Sequence, residues 1–227
     1  MENGQAMKIL HVSCSPRGQS SESYRLSAQI ISFLRKQQPT ALVIDRYVGG
    51  GALAHMDEDH AFALGASQPS PTELCLAGSI AQSEELIKEL ESADFVVIGT
   101  PMHNFTVSSG LKIWIDHVVR IRRTFNASAR GKAGMLRDRP VFIAVSAGGI
   151  YSEPSARQPD FLTSYLKAIL GMIGLHELHF FSVEGTAFGP QALANARAKA
   201  GQALENYFSS FAPCPQRRLD IPAKESM

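Results

Sequence analysis

KILHVSCSPRGQSSESYRLSAQII, residues 8–31, joins an apolar run to an amphipathic one through a polar loop, and the reading of that join decides the fold. Lys8 to Ser13 is short and mostly apolar, the pattern of a buried strand. From Ser21 onward, Leu26, Ile30, Ile31 and Leu34 recur at helical spacing, and Pro39 closes the segment. Between them lies the loop Ser15-Pro16-Arg17-Gly18-Gln19-Ser20-Ser21-Glu22-Ser23. A helix start carries unpaired N–H groups and the positive end of the helix dipole, so it suits an anion. Two readings stand at this point. Ser20 or Ser21 caps the helix with Glu22 in its first turn, or Ser15, Ser21 and Ser23 cradle a phosphate together with backbone N–H groups. The loop carries neither GKS/GKT nor GxGxxG, so it is not a triphosphate P-loop or a dinucleotide fingerprint.

The alternation continues outward. ALVIDRY (41–47) predicts a second strand, and an irregular excursion with three consecutive glycines runs from Val48 to Ala77. A loop of that length is usually functional, and it is expected to act as a lid or a mobile segment. A helix is predicted over 79–92, a strand over 94–100 and a helix over 108–121. A Gly/Arg-rich loop leads to a strand over 141–147, a helix over 160–174, a strand over 176–185 and a helix over 190–210. Five strands with intervening helices predict a three-layer α/β fold, a parallel sheet covered on both faces. Right-handed crossovers leave the flavodoxin-like order 2-1-3-4-5 as the natural topology. The expected organisation is one domain over 1–212 and a flexible tail over 213–227.

The 227 residues are 44% hydrophobic, enough for a sizeable core, and 22 basic residues face 21 acidic ones. That balance, without a basic stripe, argues against nucleic-acid binding. Three scattered cysteines form no CxxC pair, which excludes a disulfide framework and a structural zinc site. No secretory pattern opens the chain and no apolar run spans a membrane, so a cytoplasmic protein without a membrane partner is expected.

In such sheets ligands sit beyond the carboxyl ends of the strands. After the third strand, PMHNF (101–105) puts a thioether, an imidazole, an amide and a ring at that edge. These groups suit a flat heteroaromatic ligand. The plainer alternative places Met102 and Phe105 in a satellite core and leaves His103 in solvent. After the fourth strand, SAGGIY (146–151) places Gly148 and Gly149 where backbone can approach a ligand, or simply make a tight turn. VRIRR (119–123) either attracts phosphates or, on the plainer reading, is a solvated helix end favouring the C-terminal dipole. Trp114 is either a contact face for a partner or core.

Taken together, SPRGQSSES, PMHNF followed by GLKIWIDHV, SAGGIY and EGTAFGP (184–190) resemble the FMN-dependent NADH-azoreductases. These are flavodoxin-like NAD(P)H:quinone oxidoreductases, and the resemblance runs from roughly residue 8 to 210. It implies FMN as bound cofactor, NADH or NADPH as electron donor, and two-electron ping-pong reduction of quinones and azo compounds. Ser15, Arg17, Ser21, Glu22 and Ser23 then match the phosphate loop. Pro101, Met102, His103, Asn104 and Phe105 match the segment along the isoalloxazine, and Ser146, Ala147, Gly148 and Gly149 the loop on its other side. Phe125, Tyr151 and Met172 match the substrate region, with Met172 near the flavin of a partner subunit in a homodimer. Many members have tyrosine at the place of His103 and arginine at the place of Ala147. No side chain is expected to be catalytic, because the cofactor carries the chemistry, and no metal is expected. The alternatives are an NADPH-dependent FMN reductase and a non-enzymatic flavodoxin-like electron carrier.

Overall fold

In the computed structural model, residues 6–58, 60–61, 78–129, 131–152 and 154–211 are described. The tail over 213–227 and most of the expected lid, 62–77, lie outside the described residues, as do Cys75 and Cys214. The elements in chain order are β1 (Lys8–Ser13), α1 (Glu22–Gln37), β2 (Leu42–Tyr47), α2 (Gly78–Ser92), β3 (Phe95–His103), β4 (Thr106–Val107), α3 (Ser109–Val118), β5 (Phe125–Ser128), β6 (Gly131–Gly134), β7 (Val141–Ser146), α4 (Leu162–Met172), β8 (Leu178–Val183) and α5 (Pro190–Ser210).

The main sheet has the order β2-β1-β3-β7-β8, and every neighbouring pair along it is parallel. It is the 2-1-3-4-5 order expected for five main strands. Successive side chains on a strand point to opposite faces, and the strands divide accordingly. Leu10, Val12, Val96, Ile98, Val141 and Ile143 pack under α2, α3 and α4 through Leu86, Leu90, Leu111, Trp114, Leu166 and Leu170. Ile9, Val97, Phe142 and Ala144 pack under α1 and α5 through Leu26, Ile30, Leu34, Leu204 and Phe208. The result is three layers with helices on both faces.

Four details depart from the sequence expectations. β3 does not stop at Thr100 but runs on through Pro101 and Met102 to His103, which pair antiparallel with β4. The Gly/Arg-rich loop holds a second hairpin, β5–β6. The helix expected to reach Ile121 ends at Val118, because the Thr124 hydroxyl takes the Val118 carbonyl (2.7 Å) and accepts from the Arg120 N–H (2.9 Å). The VRIRR segment beyond it is no solvated helix end. Arg120 Nη2 donates to Glu84 (2.6 Å), and Arg123 donates to both Glu84 (3.0 Å) and Glu91, all reaching across to α2. Trp114 is wholly buried in the core, so it is no contact face.

A row of Asp45, His11 and Ser27 resembles a catalytic relay but is structural. His11 Nδ1 lies 2.7 Å from Asp45 Oδ1 and Nε2 lies 2.8 Å from Ser27 Oγ. Ser27 is fully buried and donates its own proton to the Tyr24 carbonyl (2.9 Å). The row therefore ties β2, β1 and α1 together and exposes no nucleophile.

Candidate functional site

Three loops leave the carboxyl ends of adjacent strands. Pro101 is in register with Ser146, and Ser146 with Val183. The Cys14 N–H donates to the Gly99 carbonyl (2.8 Å), so the first loop starts beside the second. Neighbouring strands lie about 4.8 Å apart, so the loops after β1 and β7 stand about 10 Å apart with PMHNF between them.

The first loop is shaped by its own hydrogen bonds. Ser15 Oγ accepts from the Arg17 N–H (3.2 Å), and the Ser15 carbonyl accepts from Gly18 N–H (3.0 Å). A short 3₁₀ turn over Gly18–Ser20 then delivers Ser21, which caps α1 by accepting from Tyr24 N–H (3.2 Å). The capping reading of Ser21 is thus realised. The helical ladder begins with Arg25 N–H to the Ser21 carbonyl (3.1 Å). Helical geometry leaves the Glu22 and Ser23 N–H groups without an intrahelical acceptor. Ser23 is wholly buried, and its hydroxyl lies 3.4 Å from that of Ser21. Ser21 Oγ spends its proton on the Gly18 carbonyl (2.8 Å), so the donor set that fits a phosphate at the positive end of α1 is the buried Ser15 and Ser23 hydroxyls with the two free N–H groups. Arg17 is exposed. The Glu22 side chain turns away to Arg197 on α5, whose Nε and Nη2 donate to its two oxygens at 2.8 and 2.5 Å. Those hydrogen bonds hold its carboxyl below the usual carboxylate range.

The second loop is a two-residue hairpin turn. Asn104 (φ 49°) and Phe105 (φ 68°) are both left-handed, as a type I′ turn requires. His103, Asn104 and Phe105 are exposed, while Met102 is buried on the core side. The Phe105 carbonyl accepts from Phe161 N–H (3.0 Å), which fastens the hairpin to the start of α4. A cavity of about 520 Å³ lies against the hairpin, lined by His103, Asn104, Lys112 and Tyr165 among others.

The third loop is zipped onto the chain after β8. Gly185 N–H donates to Gly149 O (3.0 Å), Thr186 N–H to Ala147 O (3.1 Å) and Ala187 N–H to Gly148 O (3.3 Å). Glu184 accepts from Tyr151 N–H (2.9 Å), Ser152 N–H (3.1 Å) and the Ser182 hydroxyl (2.8 Å). Burial pushes the Glu184 pKa up, but these donors outweigh it and leave the carboxyl ionised below its ordinary range. A Cβ on Gly149 would stand 2.1 Å from Gln158 Oε1, so any other residue there would displace the end of that side chain. The other end of Gln158 donates to Met102 Sδ (3.2 Å). Gln158 therefore bridges the second and third loops. Tyr151 lines a second cavity of about 560 Å³ with Gln158, Phe180, Phe181 and Glu184, and burial pushes its hydroxyl pKa up.

The fold thus gathers Ser15, Ser21 and Ser23, the 101–105 segment, the 146–149 loop and Tyr151 at one edge. It does not bring Phe125 and Met172 there. Met172 ends α4, eleven residues and about 16 Å along the axis from the start that touches Phe105. Phe125 is buried in the core, with Lys132 over its ring at 5.5 Å. Cys14, beside the first loop, is buried, which raises its thiol pKa and keeps it neutral. No group of three or more metal-ligating side chains occurs among the described residues, and no helix among them is long and apolar enough to cross a membrane. Gln158, Glu184 and Arg197 had no distinguishing signal in the sequence. They acquire roles only through partners far away along the chain.

A doubly wound parallel sheet with three loops at its carboxyl edge defines the class of α/β proteins whose ligands sit at the strand ends. The description flavodoxin-like fold matches residues 7–208, and the chain belongs to that family. It is 42% identical to FMN-dependent NADH:quinone oxidoreductase 4 of Pseudomonas fluorescens, over 86% of this chain and 93% of that one. It is 43% identical to FMN-dependent NADH:quinone oxidoreductase 5 of Burkholderia lata, over 86% and 93%. Among solved structures, an azoreductase from Bacillus anthracis superposes with a TM-score of 0.76 at 22% identity, covering 90% of this chain and 100% of that one, a likeness of fold.

Proposed function

We propose that this protein is an FMN-dependent NAD(P)H oxidoreductase that reduces quinones and azo compounds. The names of relatives sharing about 42% of their residues over most of both chains support the reading. The observation that carries it is the donor set at the start of α1, the buried Ser15 and Ser23 hydroxyls and two free N–H groups, standing one loop away from PMHNF. Bound FMN supplies the two-electron redox chemistry itself. The side chains do the rest. Ser15 and Ser23 anchor the phosphate, with the Glu22 and Ser23 N–H groups completing the cradle. Pro101 to Phe105 and Ser146 to Gly149 would hold the flavin ring, with the Asn104 amide and the Gly149 N–H as the polar groups offered to it. In the overall reaction NADH and a proton reduce a quinone to a hydroquinone and leave NAD⁺. Donor and acceptor use the same open face in turn, so no protein acid or base is required.

Met172, half-buried and distant from its own chain's loops, serves the reading best as a contribution to the partner's site in a homodimer, whereas Phe125 is buried in the core. Exposed Phe105, Phe161 and Phe188 offer apolar surface for such an association. The site of action is the cytoplasm, and the working unit is a single domain.

Purification tests the proposal. The expected protein is yellow, bleaches with NADH in the absence of oxygen and regains colour with a quinone. Parallel double-reciprocal lines are expected for donor and acceptor. A colourless protein that FMN cannot reconstitute would overturn the reading. Turnover only of free FMN would move it to the flavin reductases, and slow one-for-one electron passage without turnover to the carriers.

A further inference from the structure

We propose that Arg197, on α5, is a positioning residue for the flavin phosphate: it holds the Glu22 carboxylate and so removes a negative charge from the mouth of the α1 cradle. The inference rests on the FMN reading above and adds a residue to it. Glu22 is the first residue of α1, between the two serines whose hydroxyls face each other. A carboxylate there suits the helix dipole when nothing else is bound. A phosphate dianion seeks the same N–H groups, and an unpaired Glu22 would repel it.

The surroundings single out Arg197. It grips both oxygens of Glu22 in a fork, at 2.5 and 2.8 Å, the geometry that fixes a carboxylate in direction as well as charge. Arg25, one turn along α1, stands 3.8 Å away with a largely exposed side chain and cannot fix the carboxylate. Arg17 is exposed and makes no ion pair with Glu22. The Glu22 side chain is only 16% exposed, so the pair is less screened than most surface pairs. Losing Arg197 leaves the acid beside the cradle with only the weaker fields of Arg25 and Arg17. A purely structural alternative is that the pair merely pins α5 onto α1, and the two make different predictions.

The test compares FMN with riboflavin, which has the same ring and no phosphate, by fluorescence titration of flavin-stripped protein. Arg197→Ala is expected to weaken FMN about three- to tenfold at low salt while riboflavin affinity stays within about twofold. The loss should shrink at about 1 M salt, where the screening length falls to about 3 Å. Arg197→Lys should keep most of the affinity, and adding Glu22→Gln to Arg197→Ala should restore it by removing the charge. Equal losses for both flavins, or a loss that persists in the double variant, would make Arg197 a packing residue and overturn the inference. So would unchanged FMN affinity in Arg197→Ala. Failure of the underlying reading shows separately and earlier: wild-type protein would bind neither flavin, or riboflavin as tightly as FMN.

Discussion

Phe105 carries the largest local constraint at the proposed flavin edge, since a bulky residue at φ 68° is rare outside tight turns. Phe105→Gly, which creates an Asn-Gly turn, is expected to raise stability by about 0.5–1 kcal/mol and to weaken FMN binding. Urea unfolding and flavin titration on one preparation check both. A fall in stability would show that the ring's packing outweighs the backbone strain. Gly110 is constrained differently. A Cβ there would stand 2.3 Å from the Val48 carbonyl oxygen, a backbone atom that cannot swing aside. Gly110→Ala should therefore cost about 2–4 kcal/mol in denaturant unfolding. Asn104 was legible in the sequence as part of the loop after the third strand, and the tight turn it makes there was not. Nor was Gly110, because the close approach comes from a segment some sixty positions earlier.

At the scale of elements, α2 is held at its C-terminus by a side chain from the β7 approach. Arg139 is buried and donates to the carbonyls of Leu90 (2.6 Å), Glu91 (3.1 Å) and Ala93. Burial lowers its pKa to about 10, which still leaves it charged at neutral pH. Arg139→Met keeps the bulk but leaves those carbonyls without a donor, and should lower stability by about 2–4 kcal/mol. A midpoint unchanged in urea would refute the capping role. The start of α2 is held by the 54–61 segment. Asp57 accepts from His60 N–H (2.9 Å) and Ser79 N–H (3.0 Å), and His117 Nε2 meets the Ala54 carbonyl (2.9 Å). His60 is buried 5.6 Å from the His117 ring, and burial, then His117 and Arg120, lower its pKa, while Asp57 and Asp116 pull the other way. A lowered histidine pKa means the opened segment binds the proton first. The closure is therefore complete above about pH 6.5 and weakens as pH falls toward the folded value. Hydrogen exchange over this segment should speed up on acidification, and His60→Gln should flatten that response. The β5–β6 hairpin escaped the sequence reading because its strands are four residues each and exposed apart from Phe125, with glycine at both ends of β6 and no alternation to detect.

Across the whole molecule, ion pairs join elements that the chain visits far apart: Glu22 with Arg197, Glu84 with Arg120 and Arg123, and Arg46 with Glu85 and Glu89. Glu22 and Glu84 titrate below the ordinary range, in Glu84 because its two arginines outweigh burial. Their unfolded forms take up protons first. Stability is thus fully present above about pH 4.5 and is lost as pH falls through the lowered values. Urea midpoints measured from about pH 6 down to about pH 3 should decline, with a smaller decline in Glu84→Gln. The order of five parallel strands was readable from the alternation of apolar runs with 3.6-residue periodicity, because burial on two faces imposes that pattern locally. The serine loop and PMHNF could be proposed as a site because their residues are neighbours along the chain. Which side chains bridge the loops, which arginine neutralises Glu22 and where Phe125 and Met172 stand could not be read that way. The Gln158–Met102 and Arg197–Glu22 contacts join residues 56 and 175 positions apart, and no local pattern records such distances. By itself the sequence determined the layers, the strand order and the three loops. The tertiary structure alone decided how Gln158, Glu184 and Arg197 hold those loops, because hydrogen bonds and charges act through space and not along the chain.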